Sequence, residues 1–283
     1  MPALFVDQLT VIDFAFFDTH RGIVGESWIV DLVLEGELDD QGMVFDFGDV
    51  KKRIKQAIDA TVDHKFVVPA KSEHVSSTTN EKGIELRLTD TSDNRYYHQS
   101  PEQAVVMLDA DKVTMKAVSK VLNQACLNVV PENVVKIHLH LSTESIEGDY
   151  YHYAHGLKKH LGDCQRIAHG HRSQIHVFKN GQRNRELEAL WCEKWEDIYI
   201  GTEEDMVGTE HEDPNDYYRF AYTSEQGHFS LELPQHRCHI MKSDSTVELI
   251  ANHIAKQLKS IEPNASIRVK AFEGVNKGAI ANA

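Results

Sequence analysis

The chain opens with apolar and polar residues alternating in the rhythm of extended backbone. Leu4–Phe17 and Ser27–Leu34 follow a two-residue period, and a turn from Arg21–Gly22 through Gly25 is expected to join them as antiparallel strands. The period then changes. In GMVFDFGDVKKRIKQAIDATVDH, Val50, Ile54, Ala57, Ile58 and Val62 recur at helical spacing, with Asp46 or Gly48 placed to start the helix. Residues 66–111 read as irregular hairpin structure that includes the strand GIELRL. A second helix is expected near Lys112–Leu127, and a strand at Val134–Leu141.

This outline recurs. Tyr150–Leu157 and Arg172–Phe178 read as strands, followed by the charged, tryptophan-bearing stretch ALWCEKWEDIYIG. The acidic segment EEDMVGTEHEDPND reads as a solvated loop; a calcium site there is disfavoured because the spacing is not that of an EF-hand. Strands at Tyr218–Tyr222 and Phe229–Leu233 precede a helix from Ser245 to about Lys259, which Ser243, Asp244 or Ser245 can cap. The strand SIRVKAF closes the order. VVKIHLHLSTE and ASIRVKAFEG each follow a helix, alternate, and run into a glutamate. The expected organisation is an α+β tandem duplication, with one domain over 1–145 and a second over 146–283.

At 283 residues, 41% hydrophobic and 26% charged, either half can bury a core. The N-terminus has no basic run before a long apolar core, which argues against a signal peptide or a membrane span. The four cysteines make no CxxC pair and suit free thiols in a reducing cytoplasm. A net charge of -14 argues against a general nucleic-acid binder. The charge is uneven, however. Between Tyr151 and Arg185 stand seven cations, among them Lys158, Lys159, Arg166 and Arg172, against the single acid Asp163. Either a small anionic ligand or a plain cationic face accounts for that excess.

The chemistry concentrates in YYHYAHGLKKHLGDCQRIAHGHRSQIHV. His169 and His171 lie two apart at a strand start, so both imidazoles project from one face. His155 lies near the end of the preceding strand, which returns antiparallel beside them. Three neutral imidazoles with one open position make a catalytic zinc site, although packed or solvated histidines fit the spacing alone equally well. His152 and His160 are nearby alternatives; alternation puts His152 on the other face from His155. Cys164, among polar neighbours in the connection, is suited to act as a thiolate base or nucleophile.

This pattern of a strand histidine, a loop cysteine and an HGH on the next strand resembles the 6-pyruvoyltetrahydropterin and 6-carboxytetrahydropterin synthases. Further family features are GMVFDF at Gly42–Phe47, the helix-end pair Asp63–His64, Thr246–Glu248, and a glutamate after the last strand, Glu273. The resemblance implies two tandem tunnelling-fold (T-fold) domains, each an antiparallel sheet with two helices on one face, closing a ring as a homo-oligomer. It implies Zn2+ on His155, His169 and His171, Cys164 as proton-abstracting base, and His64 shuttling protons while Asp63 orients it. The implied substrate is the pterin 7,8-dihydroneopterin triphosphate, its ring gripped by Glu273, with Glu144 or Glu147 as substitutes, and its phosphates met by Lys158, Lys159, Arg166 and Arg172. The expected activity is a zinc-dependent lyase making 6-carboxytetrahydropterin for queuosine; the alternatives are the 6-pyruvoyl product or a non-catalytic pterin- or purine-binding module. Two departures stand out. The first half reads Val24-Gly25-Glu26 where HGH belongs, and the second shows no GMxxDF-helix-DH segment. A site joining zinc from one half to Asp63–His64 from the other follows.

Overall fold

The alternating N-terminal run folds as β1 (Ala3–Asp18) and returns as β2 (Gly22–Gly36), paired antiparallel from Ala3↔Glu35 to Asp18↔Gly22. The reversal is therefore tighter than expected, and Gly25 lies within a strand. The computed structural model describes residues 1–212 and 215–283. The carboxylate of Asp46 accepts from the backbone N–H groups of Gly48 and Asp49. It starts α1 (Phe47–Asp49), which continues through a π-helical stretch, Val50–Ile54, into α2 (Lys55–Thr61). The segment read as irregular holds β3 (Phe66–Pro69), β4 (Val75–Asn80), β5 (Gly83–Thr89), β6 (Arg95–Ser100) and β7 (Val105–Leu108). Then follow α3 (Met115–Leu127), capped by the Thr114 hydroxyl, and β8 (Val134–Thr143).

The rest of the chain repeats this order. β9 (Tyr150–His155) and β10 (His169–Lys179) pair antiparallel, followed by the short β11 (Gln182–Arg183). The tryptophan-bearing stretch forms α4 (Arg185–Lys194), burying Leu187, Trp191 and Cys192, and leads into β12 (Ile198–Thr202). Next come β13 (Met206–Glu212), β14 (Asn215–Ser224), β15 (Gly227–Pro234) and β16 (Cys238–Met241). α5 (Val247–Ile261) is capped by Thr246 and not by Ser243, Asp244 or Ser245. β17 (Ile267–Phe272) is followed by β18 (Gly278–Asn282), an edge strand the sequence reading had not separated.

The acidic segment expected as a loop is mainly the β13–β14 hairpin; its Asp213 and Pro214 lie outside the described residues. Glu210 and Asp216 sit on exposed positions of its strands, where strand and loop share a polar composition, while Asp205 in the preceding 3-10 turn is buried. The sheets are also mixed and not wholly antiparallel. Chain that crosses over after a helix returns in the same direction, so β3 runs parallel to β1 and β7, and β12 parallel to β9 and β16.

Strand orders β7-β3-β1-β2-β8 and β16-β12-β9-β10-β17-β18 define two matching sheets. The helices of each half cover one face of its own sheet. Ile12, Phe14 and Phe16 of β1 pack in one core with Ile54, Ile58 and Leu122, while Tyr151 and Tyr153 of β9 pack in another with Trp191, Ile254 and Leu258. A third sheet, β13-β14-β15-β6-β5-β4, takes three strands from each half and joins them at β6–β15. Beneath it lies a shared core containing Ala15, Phe17 and Phe66 from one half and Ala154, Tyr199 and Phe229 from the other. Among the described residues no helix is long and apolar enough to cross a membrane.

The two main sheets meet where β2 crosses β10. A Cβ on Gly25 would stand 1.8 Å from the Tyr153 carbonyl oxygen and 2.6 Å from the His171 backbone nitrogen. A Cβ on Gly170 would stand 2.6 Å from the Cα of Gly25. These obstacles are backbone and cannot swing aside. Gly25→Ala is therefore expected to cost about 3 kcal/mol, read as a lower urea midpoint at unchanged slope. A midpoint equal to that of the parent would mean that the two backbones separate freely.

Candidate functional site

The β9–β10 register sets His155 directly opposite His169 and Tyr153 opposite His171. Ligating nitrogens of the three histidines lie within 4.8 Å of one another. All three residues are at most 1% exposed. Nδ1 of His155 lies 3.0 Å from both the carbonyl and the hydroxyl oxygen of Ser245, and Nδ1 of His169 lies 3.0 Å from the Arg166 carbonyl. A carbonyl can only accept, so in both rings Nδ1 carries the proton and Nε2 presents its lone pair. Nδ1 of His171 lies 3.2 Å from Asp13 Oδ1. Nε2 of His155 and both ring nitrogens of His171 are buried without a hydrogen-bond partner, so His171 Nδ1 meets Asp13 as a charge contact at 3.2 Å and not as a formed hydrogen bond. Burial first, then the neighbouring imidazoles, keeps His155 and His169 neutral by pushing both well below the usual histidine range. Buried, neutral and unpartnered nitrogens converging on one point fit a metal ion of zinc's ligand preference.

The first half supplies the next layer. His64 follows α2 with φ of 54°, a left-handed conformation rare for a residue with a Cβ. Its N–H donates to the Asp13 carbonyl at 2.6 Å, and its Nδ1 lies 2.7 Å from Asp63 Oδ2. The ring centroid is 5.1 Å from that of His169. Ligating atoms of His64, Cys164 and His169 lie within 4.8 Å of one another, Cys164 standing in a short 3-10 turn, Asp163–Gln165. Burial opposes the charged form of His64, but bonding to Asp63 and Cys164 outweighs it and raises the ring to about 10. The histidine trio, Cys164 and the Asp63–His64 pair thus come together within one chain.

The other expected residues divide. Glu273 lies beside the trio, its Oε1 3.9 Å from His171 Nε2. Arg166, only 6% exposed, holds Asp163 at 2.8 Å and donates to the carbonyls of Asp63 and His64 at 3.5 Å. It therefore braces the pair. Lys158, Lys159 and Arg172 correct the expectation of one phosphate-binding cluster. Lys158 is held by Glu204 and Asp205, and Lys159 by Glu204 and Asp244. Arg172 lies over the Tyr150 ring and donates to the Glu144 carbonyl; strand alternation carries it away from the face of His171. Glu144 accepts from Gln174, and only the carbonyl of Glu147 is engaged, by Arg185. His152 bonds to the Gly25 carbonyl, outside the trio.

Asp13, Ser27, Ser245 and Lys277 were missed. For Asp13 a signal existed: an acid in the middle of VIDFAFF, on a strand buried on both faces. Burial alone would push its carboxyl up, but His171, Lys277 and Ser27 hold it well below the usual carboxylate range.

The mirror position is built differently. Phe16 pairs with Val24 where His155 pairs with His169, and Glu26 stands where His171 would. Burial pushes the Glu26 carboxyl up to about 7, against the pull of the Ser27 N–H, Arg172 and Arg21. Asp197, with φ of 52°, precedes β12 as His64 precedes β3, and takes Arg21 through two bonds of 2.8 and 2.5 Å.

The profile of the 6-pyruvoyl tetrahydropterin synthase family matches residues 18–138 of this chain. A protein of Pyrococcus abyssi named for 6-carboxy-5,6,7,8-tetrahydropterin synthase is 27% identical over 136 residues, covering 46% of this chain and 74% of its own. The crystal structure of 6-pyruvoyl tetrahydropterin synthase from Plasmodium vivax overlays with a TM-score of 0.42 at 17% identity, over 52% of this chain and 93% of that one. The Plasmodium falciparum structure overlays with 0.41 at 18% identity, over 50% and 90%. The matched segment contains GMVFDF and Asp63–His64 but precedes all three histidines of the trio.

Arg21→Ala strips Asp197, whose side chain is 7% exposed, of its bidentate partner. The expected cost is about 2 kcal/mol in urea denaturation, with the histidine trio unaffected. An unchanged midpoint would show the pair to be dispensable.

Proposed function

We propose that this chain is a zinc-dependent lyase acting on 7,8-dihydroneopterin triphosphate, built from tandem T-fold domains over 1–145 and 146–283. The product proposed is 6-carboxy-5,6,7,8-tetrahydropterin, the precursor type of queuosine biosynthesis, in keeping with the name of the archaeal relative. One observation carries the reading: three buried imidazoles with converging Nε2 atoms stand against Cys164 and an Asp-supported histidine from the other half.

His155, His169 and His171 would hold the ion, which when bound supplies Lewis acidity to the oxygens of the substrate side chain. Cys164 removes a proton from side-chain carbon, and His64, held in its protonated form, donates a proton on the neighbouring side and takes it back. Asp63, bonded to His64 Nδ1, leaves Nε2 as the exchanging atom. Glu273 accepts from the amino group and ring N–H of the pterin. Arg166 fixes the backbone of the Asp63–His64 pair, and its guanidinium is a cation suited to meet a leaving triphosphate. Water is consumed, and triphosphate and acetaldehyde leave. Open edges at β8 and β18 are where further copies would add to close a ring.

Elemental analysis should find about one zinc per chain, because the mirror position offers Phe16, Val24 and Glu26; two equivalents would contradict this. His169→Ala and His171→Ala should lose metal and turnover together. Cys164→Ala should keep zinc and fold while losing most turnover, and near-normal rates would remove it from the chemistry. The product is identified by mass, 6-pyruvoyltetrahydropterin being the outcome that would replace the proposed one.

Subunit exchange provides a separate test. Since the Asp63–His64 pair meets the trio of its own chain, mixing an Asp63→Ala/His64→Ala variant with His169→Ala should restore no activity. Recovery on mixing would place the working site between chains.

A further inference from the structure

Asp13 is an acid set in an apolar strand of the half without metal-ligand positions, and it is 2% exposed. A buried carboxylate is tolerated only where several partners hold it. Its Oδ1 accepts from the Ser27 hydroxyl at 2.5 Å and faces His171 Nδ1 at 3.2 Å, and its Oδ2 accepts from Lys277 Nζ at 2.9 Å. The backbone of the same residue serves the other catalytic layer. Its N–H donates to Asp63 Oδ1 at 2.8 Å, and its carbonyl accepts from the His64 N–H at 2.6 Å.

Asp13 therefore touches one metal-ligand position with its side chain and both members of the acid–histidine pair with its backbone. The other two histidines of the trio turn Nδ1 towards neutral oxygens, those of Ser245 and of the Arg166 carbonyl. Only His171 faces an anion. A histidine that ligates through Nε2 keeps its proton on Nδ1, and a carboxylate accepting that proton fixes the ring and raises the donor strength of Nε2. The geometry points to Asp13 as a positioning residue that sets His171 as the strongest ligand and holds it in register with Asp63 and His64.

This rests on reading the histidine trio as a metal centre and assigns part of that centre's affinity to the half that carries no ligand. Ser27, which crosses to the His171 strand by accepting from the Arg172 N–H at 3.2 Å, fixes the carboxylate from the side opposite Lys277. The strand mirroring β1 carries His152 three residues before His155, as Asp13 precedes Phe16 by three. Its Nδ1 bonds to the Gly25 carbonyl at 2.7 Å, away from the trio, so it is a matched control.

The test measures zinc affinity of the metal-free full chain by competition with a chromophoric chelator. Asp13→Asn, which keeps size and backbone, should bind about 10- to 100-fold more weakly, and its cobalt-loaded form should show a shifted ligand-field band. His152→Asn should stay within about twofold of the parent. A parent chain that takes up no stoichiometric zinc would defeat the metal reading itself. A parent that binds, with Asp13→Asn binding equally well, would defeat only the positioning role. Should Asp13→Asn not fold, nitrogen–proton correlation spectra of the zinc-loaded parent decide. The expected result is the proton of His171 on Nδ1, furthest downfield of the three rings; a proton on Nε2, with Nδ1 on the metal, overturns the proposal.

Discussion

The contact on which the rest depends is the backbone crossing of β2 and β10 at Gly25 and Gly170. A side chain on Gly25 would stand inside peptide groups of the opposite half, and one on Gly170 would meet both the Tyr153 carbonyl beside it and the Cα of Gly25 across the seam. Their absence draws β1 close enough to β10 for Asp13 to face His171, and brings the end of α2 over His169. Hydrogen bonds of 2.6 to 2.8 Å between Asp13, Asp63 and His64 tie the same strand to the end of α2. Separating the sheets by even one methyl layer would break that chain of distances. The glycine of the HGH motif thus serves packing as much as the histidines serve chemistry.

The two halves share a frame but divide the burden of burial. Three buried imidazoles, two of them with unpartnered nitrogens, are costly in a dry interior unless something compensates. The second half carries them; the first fills two of the three positions with Phe16 and Val24, adding to its own core. Glu26 is the exception, a buried acid standing near Arg21 and Arg172. Where His64 meets Cys164 on one side, Arg21 meets Asp197 on the other, so the same left-handed bend supports an exchangeable proton in one place and a fixed ion pair in its mirror.

Much of this was legible in the sequence because strand alternation is strict. Two histidines at i and i+2, and a third on the preceding strand, could share a face in only a few registers, and the observed register brings them together. The helix after GMVFDF declared itself through its spacing and its Asp46 cap. The second helix of that type did not, although Asn184 caps it by accepting from the Leu187 N–H, because its exposed face is charged and its apolar face short. Cation position was the least legible property. Lys158 and Lys159 sit near Cys164 in sequence, yet their long side chains are drawn to Glu204, Asp205 and Asp244, some 45 to 85 residues away along the chain. Sequence proximity says nothing about which carboxylate a flexible ammonium reaches. Asp13 escaped for a related reason: its partners come from Ser27, His171 and Lys277, which only the folded chain assembles.

The sheet shared between halves also governs how the polypeptide comes off the ribosome. Gln99 on β6 pairs with Ser230 on β15, about 130 residues further along. At synthesis rates of about 5–20 residues per second, that partner arrives on the order of 10 s later. During this interval the edge of β6 has no strand beside it, and Ile84, Leu86 and Leu88 of β5 lack the core that will cover them. Of the three cores only this one is shared, so the part of it that the first half contributes stays open until the second half is made. With both halves on one chain, the strand that covers this edge reaches it without an encounter between separate molecules.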